Sequence, residues 1–169
     1  MLEFAYFNQA ELYDCLQKVL KDRNLYFYFM YPTKFFSIRI DDTDYNSIQF
    51  VSKSNDGKII GFFSAYINND HNTISNLDFI NFTGKPSIVF SRDTKLFFDE
   101  IFITRNFRKI TFYAIEQNPA VKMYRKLVNK LGGREVGVLK ENKKLTDGNY
   151  YDEVIFEIFK KGYLNAIKK

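Results

Sequence analysis

A chain of 169 residues carrying 46% hydrophobic side chains has the size and apolar content of one domain with a single core, spanning 1–169. Its net charge of +5 is spread thinly, its longest apolar runs are broken by charge well short of bilayer thickness, and its acidic opening MLEFAYFNQAEL lacks the pattern of a secretion signal. A single cysteine, Cys15, excludes an internal disulfide and, with one histidine, His71, leaves no basis for a zinc site or a Cys–His nucleophile, so a reducing cytoplasm and a metal-free chemistry are expected.

In chain order, Asn8 followed by Glu11 forms a candidate capping box, and Leu12, Cys15, Leu16, Val19 and Leu20 make the apolar stripe of a first helix running to about Arg23. The aromatic run 25–31 reads as a strand ended by Pro32, 37–40 as a short extended piece and 41–46 as a polar loop. Residues 48–53 and 59–67 form a hairpin around Ser54-Asn55-Asp56-Gly57, and 74–82 is a further strand after the turn 68–72. Ser91, with Asp93 in the first turn, is the predicted start of a second helix whose inner face is Thr94, Phe97, Phe98, Ile101 and Phe102, with Asn106 as a left-handed cap. The strand Lys109–Ile115 leads through Asn118-Pro119 into a helix whose stripe is Ala120, Met123, Tyr124, Leu127, Val128 and Leu131, stopped at Gly132-Gly133. Strand 134–139 and a hairpin at Thr146-Asp147-Gly148-Asn149 into 151–159 complete the chain. The fold class is α/β, a mixed sheet flanked by helices.

This order, and above all the strand–helix–Gly-Gly–strand unit from Arg108 to Gly137 with Tyr124 inside its helix, resembles the Gcn5-related N-acetyltransferase (GNAT) fold over nearly the whole chain. The resemblance implies acetyl-CoA as cosubstrate, bound where the fourth strand (74–82) and the fifth (Lys109–Ile115) splay apart, with backbone groups near Ile80 and Phe82 pairing the pantetheine. It places the pyrophosphate on amides of about 90–93 at the following helix start, where the dipole and orphan N–H groups favour an anion. The Gly-rich loop of the family is absent: Val89 and Ser91 stand where its glycines belong, so Lys85, Ser87, Ser91, Arg92 and Asp93 are the candidate loop contacts, with Asn118 at the next helix entrance.

By the same resemblance Tyr124 is a general acid toward the departing thiolate, against the alternative that it only fills the apolar stripe. Asp78 is the candidate base, against a solvent-facing position in an alternating strand, and Glu116 is a weaker candidate. The implied activity is N-acetylation of a small-molecule or peptide amine. The alternative is a GNAT-fold binding or regulatory module that has lost catalysis, which the degenerate loop favours. No membrane or nucleic-acid partner is indicated, and a homodimer is left open.

Overall fold

A computed structural model describes residues 1–20, 46–145 and 147–168. Seven strands, β1 (Leu2–Phe4), β2 (Ser47–Lys53), β3 (Ile59–Asn68), β4 (Thr73–Asn81), β5 (Lys109–Ile115), β6 (Arg134–Lys144) and β7 (Tyr150–Phe159), form one sheet in the order β1-β2-β3-β4-β5-β7-β6. All neighbours are antiparallel except β4 and β5. Among the described residues four α-helices accompany it: α1 (Gln9–Leu20), α2 (Ile88–Asp99), α3 (Val121–Lys130) and α4 (Lys160–Ala166).

Helices cover both sheet faces, so the central strands are buried on both sides and lose the simple alternation of a half-exposed sheet. Phe62 and Phe63, adjacent in β3, point opposite ways and are both fully buried. Phe62 joins Leu12, Leu16 and Val19 of α1 with Val51 and Ile80. Phe63 faces the larger core, where Phe97 and Phe98 of α2, Tyr124 and Val128 of α3 and Tyr163 of α4 meet Phe112 and Phe156 of the sheet.

The hairpin turns fall where the sequence places them, with Gly57 (φ +83) and Gly148 (φ +84) left-handed, and Asn106 (φ +62) takes the left-handed conformation expected of it after the second helix. Several boundaries differ, each for a local reason. A strand, β1, and a 3₁₀ turn (Ala5–Asn8) precede the first helix, so no capping box forms. Asn8 instead donates to Glu3 and the Phe4 carbonyl, while Glu11 accepts from the Ile59 amide at 2.9 Å. The strand read at 25–31, the piece at 37–40 and most of the loop at 41–46 lie outside the described residues.

Helix α2 is capped four residues earlier than expected, because Ser87, extended at φ −131°, ψ 126°, accepts from the Phe90 amide and takes the cap assigned to Ser91. Its far end widens into a π-turn (Glu100–Thr104), closed by Arg105 N–H to the Glu100 carbonyl at 2.9 Å. Pro119 sits in the turn before α3 rather than in its first turn. Met123, assigned to the apolar stripe, is half exposed, and Val121 is buried in its place.

The C-terminal helix α4 was not legible as a helix: it has seven residues, a glycine and a lysine-rich flank. It docks by backbone contact, since a Cβ on Gly132 would fall 2.4 Å from the Gly162 carbonyl oxygen and one on Gly162 would fall 2.3 Å from that of Gly132. Tyr163 completes the seat, fully buried and donating to Asp99 at 2.6 Å; burial and Asp99 together push its phenol well above the ordinary value.

Candidate active site

β4 and β5 pair only through Thr73–Lys109 and Ile74–Ile110 and then separate, while β5 remains zipped to β7 from Lys109 to Ile115. The parallel, diverging arrangement expected from the sequence is therefore present. Its cause lies in β4. Between the pairs Ser64–Asp78 and Tyr66–Ser75, two residues of β4 oppose one of β3, and Asn76 in that bulge takes φ +50. A bulge bends its strand, and this one follows Ile74 by two residues, where pairing with β5 stops.

Beyond the bulge, the Phe82 amide donates to the Ile60 carbonyl at 3.0 Å. Backbone direction alternates along a strand, so Ile80 and Phe82 present their polar groups to β3 and the groups of Phe79 and Asn81 face the gap. Ile80 and Phe82, the residues expected to pair the pantetheine, therefore turn their backbone groups to β3 and away from the gap.

Over the gap, α2, α3 and the end of α4 (Ala166, Ile167) enclose a cavity of about 450 Å³. Phe79, Phe98, Met123 and Leu127 make its apolar walls, and Ser91, Lys95 and Lys130 its polar edge. Sequence reading missed Lys95 and Lys130. The signal was available for Lys95, which shares a helical face with Ser91 and Thr94 at i, i+3, i+4 spacing.

Of the loop candidates, Ser91 alone lines the cavity. Ser87 caps α2, and Ser91 donates its hydroxyl to the Ser87 carbonyl at 2.9 Å. The Ser91 amide bonds the same carbonyl, so the amides of 91–93 are internal to the helix and the orphan donors are those of Ile88 and Val89. Phe90 explains the missing glycines. Its ring stacks on Phe63 at 4.8 Å and fills a notch over Gly61, where any Cβ would lie 2.3 Å from the ring.

Lys85 is exposed, and its carbonyl closes the preceding turn by accepting from Asn81 at 2.8 Å and Thr83 at 3.0 Å. Arg92 and Asp93 turn toward β2 instead of the cavity. Asp93 is fully buried, accepts from Ser52 Oγ at 2.8 Å and pairs with the Arg92 guanidinium at 3.1 Å. A carboxylate at such depth must be paired, which accounts for both residues structurally. Asn118 is likewise buried, its Oδ1 accepting from the Ala120 amide at 2.8 Å to shape the entrance of α3.

Tyr124 reaches the gap. Its ring lies 6.1 Å from Phe79 of β4 and 5.7 Å from Phe112 of β5, bridging the diverging strands. Asp78 is half-buried on the opposite face of β4 from Phe79 and accepts from Ser64 Oγ at 2.7 Å. The two candidate catalytic side chains therefore lie on opposite faces of the sheet, with Asp78 turned toward β3. Glu116 is instead held by Arg125 at 3.0 Å, which also grips Glu135 at 2.7 Å. His71 lies exposed in its turn. Burial and neighbouring Glu11 raise the Cys15 thiol above its usual value, the opposite of what an activated thiolate needs. Among the described residues no helix is long and apolar enough to cross a membrane.

No sequence family matches the chain, and no curated protein matches it by sequence. Solved structures do. Spermidine N-acetyltransferase from Vibrio cholerae in complex with CoA and spermine superposes over 98% of both chains with TM-score 0.72 and 22% identity. The Vibrio cholerae spermidine/spermine N-acetyltransferase SpeG in complex with manganese ions is 26% identical over 73% of this chain and 71% of its own, with TM-score 0.60. A chimera of SpeG and hSSAT gives 26% over 73% and 75%, with TM-score 0.62. With its one-ended β4–β5 seam and these structural likenesses, the chain is a GNAT-fold protein.

Proposed function

We propose that this protein transfers the acetyl group of acetyl-CoA to the amine of a small-molecule acceptor. The observation that carries the reading is the bulge-driven gap between β4 and β5, roofed by a cavity with apolar walls and a lysine on either helix. Backbone groups of Phe79 and Asn81 form an unpaired strand edge onto which an extended amide-bearing chain such as pantetheine fits. The orphan amides of Ile88 and Val89 would receive the pyrophosphate, with Lys95 and Lys130 supplying cations for the remaining phosphate.

In the transfer, the acceptor nitrogen bonds to the thioester carbonyl carbon, the C–S bond breaks, and the sulfur leaves as thiolate. In this reading Tyr124, whose ring lies against Phe79 and Phe112, gives that sulfur a proton, and Asp78, on the opposite sheet face, takes the proton lost by the amine through water. The structural neighbours are spermidine acetyltransferases, which supports a small amine over a protein acceptor. The single, unpaired cysteine accords with a reducing, cytoplasmic setting.

A second reading, a GNAT-fold binding module without turnover, is favoured by Phe90, which fixes the α2 entrance where the family has flexible glycines. Thermal stabilisation titrated with acetyl-CoA, followed by thiol release with a panel of primary amines, separates the two. Saturable stabilisation with amine-dependent thiol release is the expected result. Stabilisation without thiol release for any amine selects a CoA-binding module, and absence of stabilisation rejects the transferase.

A further inference from the structure

The other end of the β4–β5 seam carries a second concavity, of about 550 Å³, with Arg108, Lys160, Lys161 and Lys168 around it and no carboxylate in its lining. Among the described residues none of these four cations forms an ion pair. Their neighbours differ: Arg105 is paired with Glu100, and Lys109 and Arg134 share Glu157. Part of the chain's positive excess is therefore concentrated, uncompensated, at one place. Gathering like charges raises the free energy of the folded state unless a counter-charge arrives.

The floor of this bowl is held by backbone. The Arg108 amide donates to the Asn72 carbonyl at 3.0 Å, and the Lys160 amide donates to the Arg108 carbonyl at 3.0 Å. Asn72 and Asn106, both left-handed, are linked by a side-chain bond of 3.4 Å, and the Lys160 ammonium donates to Asn106 Oδ1. The guanidinium fork and the lysine point charges complement adjacent tetrahedral oxyanions, and the carboxamides of Asn72 and Asn165 add neutral donors at the rim.

We infer that this bowl is a binding site for a small polyanion carrying two or more linked phosphates, separate from the acetyl-transfer cleft and independent of that reading. The test uses the full chain and inorganic tripolyphosphate, with ionic strength held constant by potassium chloride. Thermal stabilisation should saturate in the native protein. It should weaken at least about tenfold in affinity in Lys161→Glu/Lys168→Glu and again in Arg108→Gln, all at exposed positions where folding can be checked by circular dichroism. Stabilisation by acetyl-CoA should be unchanged in these variants. The inference is overturned if the native protein shows no saturable response, if the variants respond like the native protein, if acetyl-CoA displaces tripolyphosphate, or if only single-stranded RNA binds.

Discussion

The two ends of the seam between β4 and β5 are built from different chemistry. At the paired end, Lys109 forms a ladder pair with Thr73 and an ion pair with Glu157 at 2.7 Å, and Glu157 also takes Arg134 at 2.8 Å. At the open end the strands are held apart by rings: Phe79, Phe112 and Tyr124 lie within 6.1 Å of one another in pairs, with Phe156 stacked on Phe112 at 5.0 Å. Directional polar contacts close one end, and volume props the other. The rupture is confined to one seam: β5 stays paired with β7 from Lys109 to Ile115, while beyond Ile110 the facing edges of both β4 and β5 are left without ladder partners.

The largest expected effect removes the prop. Phe112 is 1% exposed and touches rings from β4, α3 and β7, so Phe112→Ala should cost about 3–5 kcal/mol in chemical denaturation. If the loss is under about 1 kcal/mol, the open end is not held by this cluster. Tyr124→Phe keeps the ring and deletes only the hydroxyl. It should fold and bind acetyl-CoA normally while losing ~10²–10⁴ in turnover, equivalent to about 3–5 kcal/mol of barrier. Unchanged turnover would reduce Tyr124 to a packing residue, and an equal loss of stability and CoA binding would assign its hydroxyl to structure.

The paired end responds to pH instead. Burial alone would raise the Glu157 carboxyl, but Lys109 and Arg134 outweigh it and hold it below the ordinary value. A depressed carboxylate stabilises the fold above its unfolded pKa of roughly 4.3, and that contribution disappears as pH falls through the folded value. Glu157→Gln should therefore cost about 2 kcal/mol at pH 7, where it leaves a half-buried lysine without its partner, and little at pH 2–3. Thermal midpoints of the two proteins that stay parallel across this range would show the ion pairs to be idle.

The open end was legible in outline because periodicity and punctuation carry it. The strands 74–82 and Lys109–Ile115, the crossover between them and the Gly132 stop all follow from apolar spacing and left-handed residues. What was not legible was set by tertiary contact. Asn76 does not announce a bulge from sequence, yet it shifts every backbone group that follows and moves the strand edge from Ile80 and Phe82 to Phe79 and Asn81. Asp93 reads as a helix-start acid until Ser52, 41 residues away, is seen to bond it. Helix α4 depends on a Gly–Gly contact across the chain that no local propensity encodes.

The smallest effect probes where α2 begins. Ser87→Ala removes the side-chain acceptor for the Phe90 amide, and loss of an N-cap typically costs about 1 kcal/mol. The buried Phe90 ring still fixes the entrance against Gly61, so the helix should not slide to a new start at Ser91. Freed of its internal acceptor, the Phe90 amide becomes one more donor for an anion at the helix start. Affinity for acetyl-CoA should then hold or rise slightly while stability without ligand falls, a divergence readable from denaturation and calorimetry on the same samples. A parallel loss of both would mean that the Ser87 hydroxyl itself contacts the ligand. If neither changes, the cap is not made in solution and the α2 entrance rests on Phe90 alone.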